Sequence, residues 1–381
     1  MQFDQFEVKD FVGNYLKNMH FKSLTPIQKE VLINLKKNNN MLCQSKTGSG
    51  KTLAFLIPIF NKLDLNLNIC QAVICAPTRE LAKQIYNVAN DVASYTNKKI
   101  DIRIYAGGTN RLDEIQRLES KTPQIVIGTP GKIVDLAIKS NVLPIYTAKF
   151  FVVDEADMCF DSGFIHDLDD INKTIKDKKT LVFSATINDN LKNSLSKYLH
   201  TKLIIRIDEK ELQNLNIEHW LLPVKTSNKL TVLNNIFEII NPYLALVFAN
   251  TKERVDMVAE NLKNMGYKVA VIHGGLEMRE RKRIMKQIHD LKFQYIVASD
   301  IAARGIDIEG VSHIINFDLP SDYEFYIHRT GRTGRANMSG LAISIYDFDN
   351  EEYIKKIEKK GIKFKYMDIK NKEFIEKKVR K

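Results

Sequence analysis

The run Lys149-Phe150-Phe151-Val152-Val153-Asp154-Glu155-Ala156-Asp157 joins an apolar strand to an acidic turn, and well upstream stands Ser45-Lys46-Thr47-Gly48-Ser49-Gly50-Lys51-Thr52. In both, a short apolar run delivers polar residues at its carboxyl end, which is where an open parallel sheet carries its ligand sites. Glycines let backbone N–H groups turn onto a phosphate, and the helix that opens at Lys51 adds a favourable dipole. Ser45, Lys46, Thr47, Gly48, Ser49 and Gly50 then form a cradle, Lys51 reaches the β- and γ-phosphates, and the Thr52 hydroxyl ligates Mg2+. Asp154 supplies a second contact to the magnesium shell, and Glu155 orients and deprotonates a water. An acidic helix cap or a glycine turn alone means little. Together and in this order they read as hydrolysis of a nucleoside triphosphate.

Outward from these two stretches, short apolar runs alternate with longer amphipathic ones. Strands are predicted over 41–43, 72–75, 102–105, 125–127, 150–153, 180–183 and 203–207. Residues 208–216 are polar and without a period, and read as a linker. A second alternation follows over 218–222, 244–248, 269–272, 295–298, 313–317 and 342–346. Runs buried on both faces and separated by helices imply mostly parallel sheets flanked by helices. The expected division is 1–207, a linker at 208–216, 217–365, and a short basic tail at 366–381. Residues 351–381 hold twelve Lys/Arg against six Asp/Glu. Their start is expected to pack on the second domain, and their end reads as a solvated helix end or an RNA-contacting tail.

The chain has 381 residues, 44% hydrophobic and 27% charged, with a net charge of +11. This is ordinary for globular domains, and the basic balance suits a polyanionic partner without choosing one. Cys43, Cys70, Cys75 and Cys159 form no CxxC pair, so a zinc site is not expected and buried thiols in a reduced cytoplasm are. No apolar run approaches the ~20 residues needed to span a bilayer.

These motifs resemble those of the DEAD-box ATP-dependent RNA helicases of helicase superfamily 2, in a bacterial type with a minimal two-domain core. The resemblance covers about residues 3–346. It implies two tandem RecA-like domains, with Leu24-Thr25-Pro26-Ile27-Gln28 as a Q motif in which Gln28 reads adenine and selects ATP, and with Phe3 stacking on the base. His20 replaces the family's usual glycine and Leu24 a usual proline. Pro77-Thr78-Arg79, Gly107-Gly108 and Thr129-Pro130-Gly131-Lys132 resemble the family's RNA-backbone loops, with Lys132 where arginine is usual. Such turns bind phosphates at helix starts and carry little base information, so RNA binding is expected to be largely sequence-independent. Ser184-Ala185-Thr186 resembles motif III, which links Asp157 to the RNA-bound state.

In the second half, Val247-Phe248-Ala249-Asn250-Thr251 resembles motif IV. Arg281 matches the arginine of the QxxR motif, with Met278 at its glutamine. Ser299-Asp300 and Arg304-Gly305-Ile306-Asp307 resemble motif V; Ser299 keeps a hydroxyl for an RNA phosphate, and the resemblance places Asp307 near the ATP ribose. His328-Arg329-Thr330-Gly331-Arg332-Thr333-Gly334-Arg335 is a full motif VI, expected to present its arginines along one side of a loop-to-helix turn. The resemblance makes Arg332 and Arg335 fingers on the γ-phosphate, and gives His328 and Arg329 a coupling role. It implies ATP and Mg2+ as cofactors and RNA-stimulated hydrolysis at the interdomain cleft, coupled to local separation of RNA duplexes or RNP remodelling. An ATP-gated RNA clamp with little unwinding is the alternative. A DNA translocase of the same superfamily is disfavoured by Gln28 and Asp157, and a metabolic kinase by motif VI. Ribosomal or RNA-decay proteins are candidate partners. The sequence does not choose among ribosome assembly, mRNA decay and cold adaptation.

Overall fold

β-branched runs with every residue buried become the inner strands of two parallel sheets. The computed structural model describes residues 8–21, 23–45, 49–108, 110–187, 189–195, 204–206, 217–224, 228–303, 308, 310–334 and 339–377. The chain divides into compact units between residues 209 and 210. The expected linker, 208–216, lies outside the described residues.

The first unit contains β1 (Asn40–Gln44), β2 (Ala72–Cys75), β3 (Ile102–Tyr105), β4 (Ile125–Gly128), β5 (Phe150–Val153), β6 (Lys179–Ser184) and β7 (Ile204–Arg206). They form a parallel sheet in the order β3-β4-β2-β5-β6-β1-β7. Successive side chains take opposite faces: Phe150 and Val152 join one apolar layer, Phe151 and Val153 the other. This order sets the carboxyl ends of β1, β6 and β5 side by side, followed by those of β2, β4 and β3. One half of the edge carries the phosphate loop and the acidic turn, and the other half the expected RNA loops.

Before the sheet, the helix Asp10–Asn18 ends in a Schellman turn, in which Phe21 N donates to Leu16 O at 3.1 Å and His20 N to Lys17 O at 3.0 Å. His20 occupies the left-handed position of this turn, with φ 56°. That geometry explains why glycine is usual there and what its replacement costs.

The second unit contains β8 (Ile217–Pro223), β9 (Ala245–Phe248), β10 (Val269–Ile272), β11 (Tyr295–Ala298), β12 (His313–Asn316), β13 (Gly340–Tyr346), β14 (Phe364–Lys370) and β15 (Glu373–Glu376). Their order is β10-β11-β9-β12-β13-β8-β14-β15, with β15 alone antiparallel to its neighbour. The expected boundary at 365 therefore falls inside a strand, and 366–376 is not a tail. β14 continues the sheet, with Phe364 opposite His219 and Tyr366 opposite Leu221. Asn371 and Lys372, at φ 52° and 60°, make the two-residue turn into β15. Alternation decides the outcome: Met367, Ile369 and Phe374 join the apolar layer, and the Phe374 ring lies 5.1 Å from that of Trp220. Of the hairpin's lysines, Lys370 ends β14, Lys372 lies in the turn, and Lys365 pairs with Glu218 Oε2 at 2.8 Å.

Candidate active site

The phosphate loop leaves β1 and enters the helix Lys51–Lys62 through Gly50. Lys46, Thr47 and Gly48 lie outside the described residues. Ser45 N donates to Ser184 O at 3.0 Å, and the Ser45 and Ser49 hydroxyls are 2.9 Å apart. Gly50 has φ 92°, and a Cβ there would stand 2.6 Å from Gln28 Nε2 and 2.9 Å from Thr25 Oγ1. The reason is Gln28, which is buried in the helix Pro26–Asn34. Its Oε1 accepts from Thr25 N at 3.0 Å and its Nε2 donates to Gly50 O at 3.1 Å. The Q motif is thus clamped to the last residue of the phosphate loop. Phe3 lies outside the described residues.

Asp154 extends the ladder past β5, its N–H donating to Cys75 O at 2.9 Å. Glu155 then turns sharply, with φ 47°. A left-handed conformation costs a bulky residue ~1–2 kcal/mol, and such strain gathers at functional sites. Here the turn delivers Glu155 Oε1 to within 2.6 Å of Lys51 Nζ, both side chains 6% exposed. Burial draws the Lys51 ammonium down, but the carboxylates of Glu155, Asp154 and Asp157 outweigh it and hold Lys51 above its ordinary value. Burial pushes the Asp154 carboxyl up to about 7 against the pull of Lys51, with Glu155 adding to the rise. Three buried carboxylates thus share one buried ammonium, and Glu155 Oε2 has no hydrogen-bond partner among the described residues. This surplus of buried negative charge fits a divalent cation held by Asp154 and Thr52, and the orphaned oxygen fits a water acceptor.

Asp157 is bound to motif III as the resemblance implies. Its Oδ2 accepts from Thr186 N at 3.1 Å and from Thr186 Oγ1 at 2.9 Å, while its N–H donates to Ser184 Oγ at 3.2 Å. Ser184 in turn donates to Thr186 O at 2.6 Å.

On the other half of the edge, Thr78 follows Pro77 and caps the helix Arg79–Ala93, its hydroxyl accepting from Leu81 N at 3.2 Å. Gly107 is needed for space, because a Cβ there would stand 2.6 Å from the Arg79 guanidinium; Gly108 has φ 90°. Thr129 and Pro130 open the helix Pro130–Val134, which includes Gly131 and Lys132. The Lys132 cation is ion-paired with Glu114 Oε2 at 2.7 Å and Asp135 Oδ2 at 3.7 Å.

In the second unit the motif VI helix is Tyr323–Thr330, so Arg329 and Arg332 straddle a helix-to-loop turn, the reverse of the expected loop-to-helix turn. Arg329 points inward, its side chain 1% exposed. It forks onto both carboxylate oxygens of Asp300 and donates to Asn250 Oδ1 at 2.9 Å, Asp318 O at 2.6 Å and Asn316 Oδ1 at 3.2 Å. Its guanidinium also lies 4.8 Å from the centre of the Phe248 ring. Arg329 therefore ties together the ends of β9, β11 and β12, joining motifs IV, V and VI. His328 and Arg332 are buried beside it along the chain. Arg335 and Asp307, with Arg304, Gly305 and Ile306, lie outside the described residues. Arg281 donates to Ala302 O at 3.0 Å, next to the motif that holds Ser299. Of the partners of Arg329, Asn250 and Asp300 were expected only as members of motifs IV and V, without a role, and Asn316 and Asp318 were not among the expected residues. The signal available was a lone asparagine ending the apolar run Ile314-Ile315-Asn316.

Two RecA-like domains carrying these edges define a nucleotide-driven helicase core, and the comparisons place the chain directly: it belongs to the DEAD/DEAH box helicases, whose family model matches residues 25–194. The helicase conserved C-terminal domain matches residues 228–337. The chain is 46% identical over 375 residues to the DEAD-box ATP-dependent RNA helicase CshB of Listeria monocytogenes, covering 98% of this chain and 86% of the relative. It is 44% identical to CshB of Bacillus subtilis, covering 97% and 84%. Among solved structures it matches S. cerevisiae Dbp5 bound to RNA and ADP BeF3 with a TM-score of 0.86 at 28% identity, covering 96% of this chain and 95% of the other.

Proposed function

We propose that this chain is an ATP-dependent RNA helicase, hydrolysing ATP to ADP and phosphate in response to RNA and using the cycle to separate short RNA duplexes or remodel RNP. The observation that carries this reading is the buried Lys51–Glu155 pair clamped beside Gln28 and Gly50. Lys51 pairs with the carboxylate of Glu155, the proposed general base. A γ-phosphate drawing on Lys51 would release Glu155 to accept a proton from water. Thr52 and Asp154 would hold a magnesium ion, which would supply Lewis-acid neutralisation of the phosphate charge. Gln28 already uses one N–H and one lone pair within the protein. It keeps a second donor and a second acceptor, the pair that the adenine N7 and N6 edge requires.

The Asp157–Thr186–Ser184 bonds would transmit occupancy of the acidic turn to the strand ends facing RNA. We take Arg332 and Arg335 of the second domain as the fingers acting on the same nucleotide. Among the RNA-facing residues, Arg79, Gly107, Gly108, Thr129, Gly131, Arg281 and Ser299 remain candidates for backbone contacts. Lys132 would have to leave Glu114 to join them. No helix of the described residues is long and apolar enough to cross a membrane. A reduced cytoplasm suits four cysteines that are free and buried. The test is steady-state ATP hydrolysis with and without single-stranded RNA, with equal DNA as control. Strong stimulation by RNA alone is expected. Equal stimulation by DNA, or none by RNA, would overturn the reading.

A further inference from the structure

Tyr326 lies one turn before Thr330 on the motif VI helix, fully buried, and its hydroxyl has two polar neighbours. One is His219 Nδ1 on β8, at 2.8 Å; the other is the Ser344 hydroxyl on β13. Ser344 Oγ accepts from Asn316 Nδ2 at 3.0 Å, and Asn316 Oδ1 accepts from Arg329. Asn316 and Ser344 are direct partners across β12 and β13, and both are fully buried. The polar track therefore runs from Arg329 through Asn316, Ser344 and Tyr326 to His219.

Its first link is fixed by the guanidinium end. A guanidinium only donates, so the Asn316 amide must turn its oxygen to Arg329 and its nitrogen to Ser344. Ser344 has a second lone pair, so accepting from Asn316 does not by itself aim its proton; its hydrogen bond draws the Tyr326 pKa down, which is the effect of a proton given to the Tyr326 oxygen. Tyr326 then gives its own proton to His219 Nδ1, which must be a bare acceptor. His219 is thereby assigned the tautomer with hydrogen on Nε2. Its ring is backed by Phe364 of β14, the centroids 6.1 Å apart and perpendicular, and Phe364 also packs 5.8 Å from Tyr326.

We propose that Tyr326 and His219 are positioning residues for the reaction: they belong to a hydrogen-bond relay that orients Asn316 and so fixes Arg329 and the motif VI turn carrying Arg332. The inference rests on the helicase reading, and it gives the terminal hairpin a place in the machinery through Phe364. Without the Tyr326 hydroxyl, Ser344 loses an acceptor in a dry site, and the Asn316 amide is no longer held in one orientation. A missing neutral hydrogen bond corresponds to roughly a 2- to 10-fold effect.

The experiment uses the full chain. Tyr326→Phe keeps the ring and removes the hydroxyl. RNA-stimulated kcat is expected to fall about 5-fold with KM for ATP little changed, and guanidinium proton exchange at Arg329, followed by NMR on arginine-labelled protein, is expected to quicken. His219→Gln, which keeps an acceptor, is expected to retain more kcat than His219→Leu. Selective 15N labelling of histidine is expected to show His219 Nδ1 unprotonated in the wild type. An unchanged kcat with unchanged Arg329 exchange in Tyr326→Phe would overturn the proposal. So would a proton on His219 Nδ1, a result that stands even if Tyr326→Phe fails to fold. If wild-type protein shows no RNA-stimulated turnover, the helicase reading fails, while the histidine tautomer and Arg329 exchange still report the relay.

Discussion

Replacing Gly50 by alanine tests whether the Q motif and the phosphate loop act as one body. Gly50 has φ 92°, and its Cβ would stand 2.6 Å from Gln28 Nε2 and 2.9 Å from Thr25 Oγ1. The conformation alone costs ~1–2 kcal/mol for an L-residue. The collision adds the Gln28–Gly50 hydrogen bond, worth ~0.5–1.5 kcal/mol, because the amide must move to make room. The sum is about 1.5–3.5 kcal/mol, borne by the first domain. Gly266→Ala is the internal control: φ is 86°, but nothing lies within 4 Å of its Cβ, so it carries the backbone cost without the collision. Hydrogen exchange along the helix Lys51–Lys62 reads the first domain. The sole tryptophan, Trp220, reads the second. The expected result is faster exchange in that helix and weaker binding of ATP relative to GTP in Gly50→Ala, with neither in Gly266→Ala. If Gly50→Ala weakens both nucleotides equally and leaves the Gln28 side-chain amide in place, the coupling drawn between Gln28 and the loop is wrong.

Three further outcomes follow from the same geometry. Lys51→Ala strands Glu155 in a buried site, which costs ~3–5 kcal/mol while the charge remains; adding Glu155→Gln should restore most of the lost thermal stability, and equal melting of single and double variants would refute the pair's role. His20→Gly should raise the first domain's melting temperature by relieving the left-handed turn at φ 56°, by an amount equivalent to ~1 kcal/mol; no change or a loss would mean that the Schellman turn does not strain His20. Burial lowers the His313 pKa below its ordinary 6.5, so its contribution to stability is present above that value and is lost as pH falls through the window below it. Denaturant unfolding followed at Trp220 should come earlier at pH 5 than at pH 7.5, and His313→Gln should narrow the difference; an unchanged difference would exclude His313 as its source.

The strands, their parallel pairing and the position of each motif at a strand's carboxyl end were legible because period and burial speak locally. Phe150-Phe151-Val152-Val153 is apolar at every position, and only a strand covered on both faces uses such a run. The hairpin at the chain's end was misread for the opposite reason. Its lysines dominate the composition, while the decision rests on Met367, Ile369 and Phe374 meeting Trp220, a contact between segments far apart in sequence. Pairing across the fold was likewise hidden at Lys132, which reads as an RNA-facing cation until Glu114, from another helix, is brought within 2.7 Å.

Motif VI shows the limit most sharply. Spacing alone does not tell its arginines apart, and only the resemblance gives Arg329 a role different from that of Arg332 and Arg335; the physical reason is that a buried guanidinium must spend its five donors inside the protein or remain costly. Arg329 meets that demand with Asp300, Asn250, Asn316 and Asp318, none of which is near it in sequence except through the fold. A residue so completely engaged has no donor to lend to a phosphate without dismantling the ends of β9, β11 and β12. The arginine that comes first in the motif is therefore the one that builds the turn. This leaves Arg332 and Arg335 as the arginines we propose for chemistry on the nucleotide. Substituting Arg329 should accordingly loosen motifs IV, V and VI together, whereas substituting Arg332 should lower turnover and leave the Asp300 and Asn316 contacts in place.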